Sequence, residues 1–368
     1  MKYKIGRSSN KDTMQAIQET TAGLEAPKLL WFTSGVHDFA MYTEAMKATF
    51  PSSIIVGVTT FAAFCKDGAF KDTLLVLGIE DGIECCADVL EEVDKYPLKY
   101  VERVERCANE MGSSASDNTI CFEVATALIS CEELVLSTLN AVLMKKNIPV
   151  FGGSAGDRGT AEKTMISLNG VIYDNACVFV LIKNLGGAIR LYRENIYKPT
   201  NHSFKATKVD VRKRRVYEYD NKPAAQVTAQ ALGTTVGNLG SYLNSYPLGR
   251  IIGNDMYIIA NESVVDSSGM SYHARIYNNS QMVLLEPDDY KEVLRKTTEQ
   301  IKQQIPNPSL SIMVNCLARS MLFEKDGNLN DFAKKMESAL GNYVGFAGYG
   351  EQLKQQHFNQ TMVLAVFE

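Results

Sequence analysis

A cysteine and an arginine stand three residues apart in Cys316-Leu-Ala-Arg319, at the exit of the apolar run Leu310-Ser-Ile-Met-Val314. A guanidinium beside a thiol lowers its pKa and makes it reactive. A guanidinium facing a cavity instead offers a planar fork for a carboxylate or phosphate. Buried cysteines commonly act as small hydrophobes, so Cys316 is expected to pack rather than react, and Arg319 is the residue expected to recognise a ligand. Downstream, Gly348-Tyr-Gly350 leads into Glu351, with Asn359 and Thr361 close behind. Glu351 suits an ammonium group, and Asn359 offers both a donor and an acceptor. With Arg319 they make a set fitted to a zwitterion, and Gly348 and Gly350 allow close backbone approach. The competing reading has the same polar groups satisfying backbone atoms at a tight turn. His357 lies beside that turn. It could ligate haem iron or serve Cys316 as a base, although a surface histidine in a polar loop is the expectation.

A second glycine-rich stretch, Val150-Phe-Gly-Gly153-Ser-Ala-Gly-Asp157, could cradle an anion with its N–H groups. A nucleotide loop would need a helix directly after it. The sequence that follows, Thr164 to Tyr173, alternates instead and turns at Asn169-Gly170, the mark of a hairpin. A nucleotide site is therefore disfavoured. Gly153 and Asp157 remain ligand candidates against a plain alternative in which Asp157 caps local N–H groups. The basic cluster Arg212-Lys-Arg-Arg215 falls between two short alternating segments and reads as a hairpin turn with solvated charges.

These residues sit at the ends of strands, and the strands repeat. Ile54 to Ala63 followed by Thr73 to Leu77, Val150 to Asp157 followed by Ala176 to Ile182, and Val344 to Glu351 followed by Thr361 to Phe367 share one plan. Each is an apolar strand, a turn of small residues, a polar stretch and a second apolar strand. Helices are expected over Asp38–Thr49, Glu132–Met144, Pro223–Leu232, Asp288–Gln304 and Asn330–Leu340, the second with a clear apolar stripe. The fold class is α/β (mixed α+β): two domains with mixed β-sheets flanked by helices. A cut near Asn184–Gly187 gives domains over 1–185 and 186–368.

The composition narrows the function further. With 38 basic and 42 acidic residues, the 368-residue chain has a net charge of −4 and no global field for a polyanion, so nucleic acid is not an expected partner. No apolar run reaches the length of a membrane span, and the first residues carry no apolar leader, so a cytoplasmic protein is expected. Eight scattered cysteines with no Cys-x-x-Cys pair argue against zinc and fit free thiols in a reducing compartment.

Val150 to Asp157, Asn315-Cys-Leu-Ala-Arg319, Gly345-Phe-Ala-Gly-Tyr-Gly-Glu351 and Phe358-Asn-Gln-Thr361 resemble FIST domain proteins, with Lys222-Pro-Ala224 and Tyr246-Pro-Leu-Gly249 also in place. The resemblance covers nearly the whole chain and implies a FIST N-domain followed by a FIST C-domain. It further implies an intracellular sensory module for a small ligand, an amino acid or related carboxylate. The expected partner is a signalling protein such as a histidine kinase or chemoreceptor. A haem-binding nitric oxide sensor is the alternative that the family also offers; a protein-interaction scaffold without ligand is another. No enzyme activity and no cofactor is expected under the main reading. The first repeat departs from the family, with Ala62-Ala63 where Gly-Glu is usual, so no ligand role is carried to it.

Overall fold

Each of the three repeated segments proves to be the end of a longer unit of one plan. An edge strand leads to a helix, an inner strand, a second helical stretch, a glycine-bearing strand, a hairpin and a closing strand. In the computed structural model, which describes residues 1–112 and 117–368, the first copy has strands Lys2–Ser8, Leu29–Ser34 and Ile54–Thr59, the hairpin Ala63–Cys65 with Gly68–Phe70, and Leu74–Asp81. The second has Ile83–Glu91, Thr119–Ala125, Val150–Ser154, the hairpin Ile166–Leu168 with Val171–Tyr173, and Ala176–Asn184. The third has Ile189–Asn195, Leu310–Cys316, Tyr343–Gly348, then Glu351–Leu353 and Gln356–Phe358, and Thr361–Phe367. The fold is thus mixed α/β, as the patterning implies.

Within a copy the pairing is constant. In the first, the inner strand runs parallel to the glycine strand, with Leu29 opposite Ile54, and antiparallel to the closing strand, with Trp31 opposite Leu77. The second copy repeats this, with Phe122 opposite Phe151 and Val180, and the third sets Val314 opposite Phe346 and Val363. A parallel pair needs a crossover helix, which Phe39–Thr49, Glu132–Leu143 and Leu317–Lys325 with Leu329–Leu340 supply. Every residue of Leu29–Ser34, Thr119–Ala125 and Leu310–Cys316 is buried, and covering on both faces is why these strands are mostly apolar rather than alternating. Glu132–Leu143 buries Val135, Leu136, Leu139, Val142 and Leu143, the stripe seen in its sequence. Asn169 and Gly170 have φ of 51° and 92°, the left-handed pair that a tight hairpin requires.

No copy completes its own sheet with its own hairpin. Ala63–Cys65 of the first copy pairs with the glycine strand of the third, placing Phe64 opposite Gly345. Ile166–Leu168 of the second pairs with the first, placing Ser167 opposite Gly57. Glu351–Leu353 of the third pairs with the second, placing Glu351 opposite Gly153. The exchange is cyclic. One aromatic ring from each sheet meets at the centre, Trp31 lying 6.5 Å from Phe122 and 6.2 Å from Phe346.

The chain divides into two compact units that are not consecutive halves. Unit 1 holds Met1–Arg193, Thr298–Gln355 and Met362–Glu368, while unit 2 holds Glu194–Thr297 and Gln356–Thr361. Unit 2 thus enters the third copy from the end of its edge strand to the middle of its first helix, Tyr290–Gln304. It is an antiparallel arrangement in the order Asp255–Ile259, Leu248–Ile252, Gln281–Pro287, Tyr197–Asp210, Arg215–Tyr219, Gly269–Tyr272 and Asn261–Val265. Helix Ala224–Ala231 packs on it over a core that includes Tyr219 and Tyr272, whose hydroxyls lie 2.7 Å apart. No helix among the described residues is long and apolar enough to cross a membrane.

Two expectations need correction. The basic turn is not wholly solvated: Arg214 is buried at 6% exposure and donates to the His273 carbonyl at 2.8 Å, because the hairpin folds that side chain back over its own sheet. Nor are all thiols free. Cys86 on Ile83–Glu91 and Cys107 on Val101–Glu110 form a disulfide across a Cα separation of 5.4 Å, joining residues 21 apart. Their pairing follows from a helix laid on a strand, which spacing in the sequence does not reveal. Closing a loop of that size contributes about 3 kcal/mol in the chain-entropy account. Cys107→Ser should therefore lower the unfolding free energy by that order, read as a lower denaturant midpoint. Intact-mass measurement of alkylated wild-type protein should show two cysteines protected until reductant is added.

Candidate functional site

The three strand exits meet in unit 1 and close a ring of backbone hydrogen bonds. Phe61 N–H donates to Ala347 O at 3.2 Å, and Ala347 N–H returns to Ala62 O at 2.9 Å, tying the first turn to the third. Ser154 N–H donates to Gly350 O at 3.0 Å and Tyr349 N–H to Ser154 O at 3.2 Å, tying the third to the second. Gly156 N–H donates to Thr59 O at 2.8 Å, tying the second to the first. The small residues are a steric requirement of this contact. A Cβ on Gly348 would lie 2.0 Å from the Ser154 carbonyl oxygen, and one on Gly156 would lie 2.4 Å from that of Ala347. Gly153 faces Val314, whose Cγ1 would be 2.5 Å from an added Cβ.

Asp157 ends the second turn and is consumed by it. Its carboxylate accepts the Tyr349 hydroxyl at 2.5 Å, the N–H groups of Gly159 and Glu162 at 2.8 and 2.9 Å, and the Thr160 N–H and hydroxyl at 3.1 Å. Burial alone would raise this carboxyl, but the tyrosine hydroxyl and the backbone donors outweigh it and hold the group at about 2. Asp157 thus locks the following loop to the third turn.

The other sequence candidates divide between the two units. Glu351, fully buried, lies opposite Gly153 in the strand register. Cys316, 4% exposed, lies opposite Gly348 and is also the N-cap residue of helix Leu317–Lys325. Arg319 stands in the first turn of that helix at 1% exposure, its guanidinium 5.2 and 5.7 Å from the ring centres of Phe323 and Phe332. Beside them Asn315 Nδ2 donates to Ser320 Oγ at 2.8 Å, and Ser320 Oγ donates to Cys316 O at 2.9 Å. Asn359 belongs to unit 2, where its Oδ1 accepts the Ala260 N–H at 3.2 Å and its own N–H donates to Ile258 O at 3.0 Å. His357, also in unit 2, is not a surface residue as expected. It is 2% exposed, with Nε2 at 3.2 Å from His273 O, because a stretch that reads as polar loop forms the strand Gln356–Phe358 here.

One ionisable residue of note escaped the sequence reading. Glu123, in the middle of Thr119–Ala125, has no exposure, accepts the Cys177 thiol at 3.3 Å on Oε2, and has no hydrogen-bond partner on Oε1 among the described residues. Burial pushes its carboxyl up to about 8; the Cys177 thiol opposes that and the Glu132 charge adds to it. Its signal was a single acid inside an otherwise apolar strand. The same burial, with the charge of Glu123 nearby, holds Cys121 and Cys177 well above the ordinary thiol range, so both are inert.

Cavities lie elsewhere in both units. One of about 280 Å³ in unit 1 is bordered by Tyr3, Lys4, Cys65, Asp67, Asn342 and Tyr343. Another of about 400 Å³ lies in unit 2 between residues 199–202 and Tyr242 and Tyr246.

Comparison with known proteins agrees with the motifs. Residues 29–222 match the FIST N domain and residues 224–354 the FIST C domain. An uncharacterised protein of Methanocaldococcus jannaschii is 24% identical over 411 aligned residues, spanning 100% of this chain and 78% of that protein.

The turn ring predicts a sharp contrast between glycines. Gly348→Ala should cost about 1–3 kcal/mol or more by forcing backbones apart. Gly237→Ala, with nothing within 4 Å of its added Cβ, should stay within about 0.5 kcal/mol of wild type in the same denaturant titration. Glu123 predicts a pH slope. Its folded carboxyl keeps a proton up to about 8, whereas an unfolded one releases it near 4.5, so stability should fall as pH rises across that window. The drop should be on the order of a few kcal/mol. Glu123→Gln, neutral throughout, should flatten the slope between midpoints measured at acidic and alkaline ends.

Proposed function

Because the chain belongs to the FIST family, whose domains are associated with sensory signal transduction, we propose that it is a cytoplasmic sensor binding an amino acid or related small carboxylate. Arg319 is the partner for the ligand carboxylate and Glu351 the partner for its ammonium, with Cys316, Gly153, Gly348 and Gly350 forming the surrounding wall. The observation that supports this is the retention of a guanidinium and a carboxyl at 1% and 0% exposure around one turn cluster. Taking either charge out of water costs several kcal/mol before compensation, so such groups concentrate where they have a task. The Phe323 and Phe332 rings beside Arg319 offset part of that cost through their π faces.

The mechanism is linkage. A ligand that binds one arrangement of the turns more tightly than another shifts the population towards it, by no more than the difference in affinity. The ring of backbone bonds makes the three copies respond together, since no turn moves without breaking bonds to another. The shifted state is passed to a partner protein, a histidine kinase or chemoreceptor in this reading. No covalent step is involved. Cys316 is used at a helix start, and no role as nucleophile is assigned to it.

Titration calorimetry of the full chain against a panel of amino acids and small carboxylates tests this. Heat is expected for at least one, with affinity reduced about tenfold or more by Arg319→Met or Glu351→Gln, as loss of a charge-assisted contact implies. A panel that produces no heat, or variants that bind as wild type does, would overturn the assignment.

A further inference from the structure

We infer that the cavity of unit 2 is a separate binding site for a small organic cation, an amine or quaternary ammonium carried on an apolar body. Three observations converge on it. The first is a break in the β-ladder. Tyr197–Asp210 pairs with Gln281–Pro287 at Pro199 opposite Leu285 and at Ser203 opposite Val283, so Thr200, Asn201 and His202 together stand against Leu284 alone. This bulge is held in shape: Thr200 Oγ1 donates to Leu284 O at 2.9 Å and accepts the His202 N–H at 3.2 Å. Bulges redirect side chains, and this one borders the cavity.

The second observation is the aromatic wall opposite. Tyr242 and Tyr246 line the cavity with ring centres 6.1 Å apart. Their loop is fastened by buried amides rather than left to solvent. Asn261 Nδ2 donates to the carbonyls of Leu243 and Tyr246 at 2.9 Å each, and Gln360 Nε2 donates to Asn244 O at 3.1 Å. Two pre-positioned aromatic side chains suit a cation, since the ring quadrupole attracts positive charge.

The third is the charge balance. Glu286 is the permanent charge among the lining residues, which include no lysine or arginine. Its neighbour Lys198 reaches it at 3.8 Å with half of its side chain exposed, a loose pair that an entering cation can displace. An anion would meet the carboxylate with no lysine or arginine in the lining to receive it. The volume of about 400 Å³ is within the range of small-molecule sites. Unit 2 interrupts the third copy and has no counterpart inside the first two, so its walls are not committed to the turn ring.

The test uses the full chain and two probes of matched shape and opposite charge, phenethylamine and phenylacetate, followed by calorimetry or ligand-observed NMR. Phenethylamine should bind and phenylacetate should not. Glu286→Gln and Tyr246→Leu should each weaken the amine about tenfold, while Tyr246→Phe, which keeps the π face, should stay within about threefold. Thermal midpoints of the variants establish that they fold. Arg319→Met should leave amine binding unchanged, which separates this site from the one proposed in unit 1. Equal binding of both probes, no binding of the amine at millimolar concentration, or amine affinity indifferent to both substitutions would overturn the inference.

Discussion

Backbone touching backbone at three strand exits is the contact on which unit 1 depends. A carbonyl oxygen 2.0 Å from where the Cβ of residue 348 would sit leaves glycine as the residue that fits. The same contact explains why small residues recur at 62, 155, 156 and 347, each at or beside a bond of the ring. It also explains why the copies cannot be considered one at a time. Each sheet borrows a hairpin strand from another copy, so the edge that would otherwise expose unpaired N–H and C=O groups is covered from outside the copy. A unit built this way is cooperative by construction.

Two buried carboxyls show how the donors within reach decide whether burial keeps an acid protonated. Asp157 is almost as hidden as Glu123, yet it sits at a turn where several N–H groups and a tyrosine hydroxyl point at it, and it stays charged. Glu123 lies mid-strand, where the backbone N–H groups are already spent on the ladder, and a thiol is the donor it finds. It therefore holds its proton into the alkaline range. The first acid fastens the second turn to the third. The second is tolerated because, as a neutral acid, it asks little of the core around it.

The duplicated scaffold and the inserted unit divide the work differently. In the scaffold most polar groups near the turns are tied to backbone, which favours rigidity. In unit 2 the sheet is antiparallel, the ladder is deliberately broken at residues 200–202, and aromatic side chains border open volume. A sensor of the kind proposed above needs both properties, a frame that moves as a block and a place where a ligand changes its energy.

Much of the local structure was legible in the sequence. A period-3.6 stripe marked Glu132–Leu143, a helix was expected near Leu329–Leu340, an apolar run marked Leu310–Cys316, and Asn169-Gly170 marked a turn that needs positive φ. The repeat itself was legible, because copies of one unit keep the small residues their turns require. Leu317–Lys325 was missed, since its start at Cys316 lacks the Ser, Asp or Asn cap that gives warning of a helix. What tertiary structure alone decided were the long-range partners: the cyclic exchange of hairpins, the Cys86–Cys107 bond, the burial of His357 and the lock between Asp157 and Tyr349, 192 residues apart. Periodicity and turn chemistry act over a few residues. Which sheet edge accepts a strand depends on where distant chain ends arrive, and that is settled only when the whole unit packs.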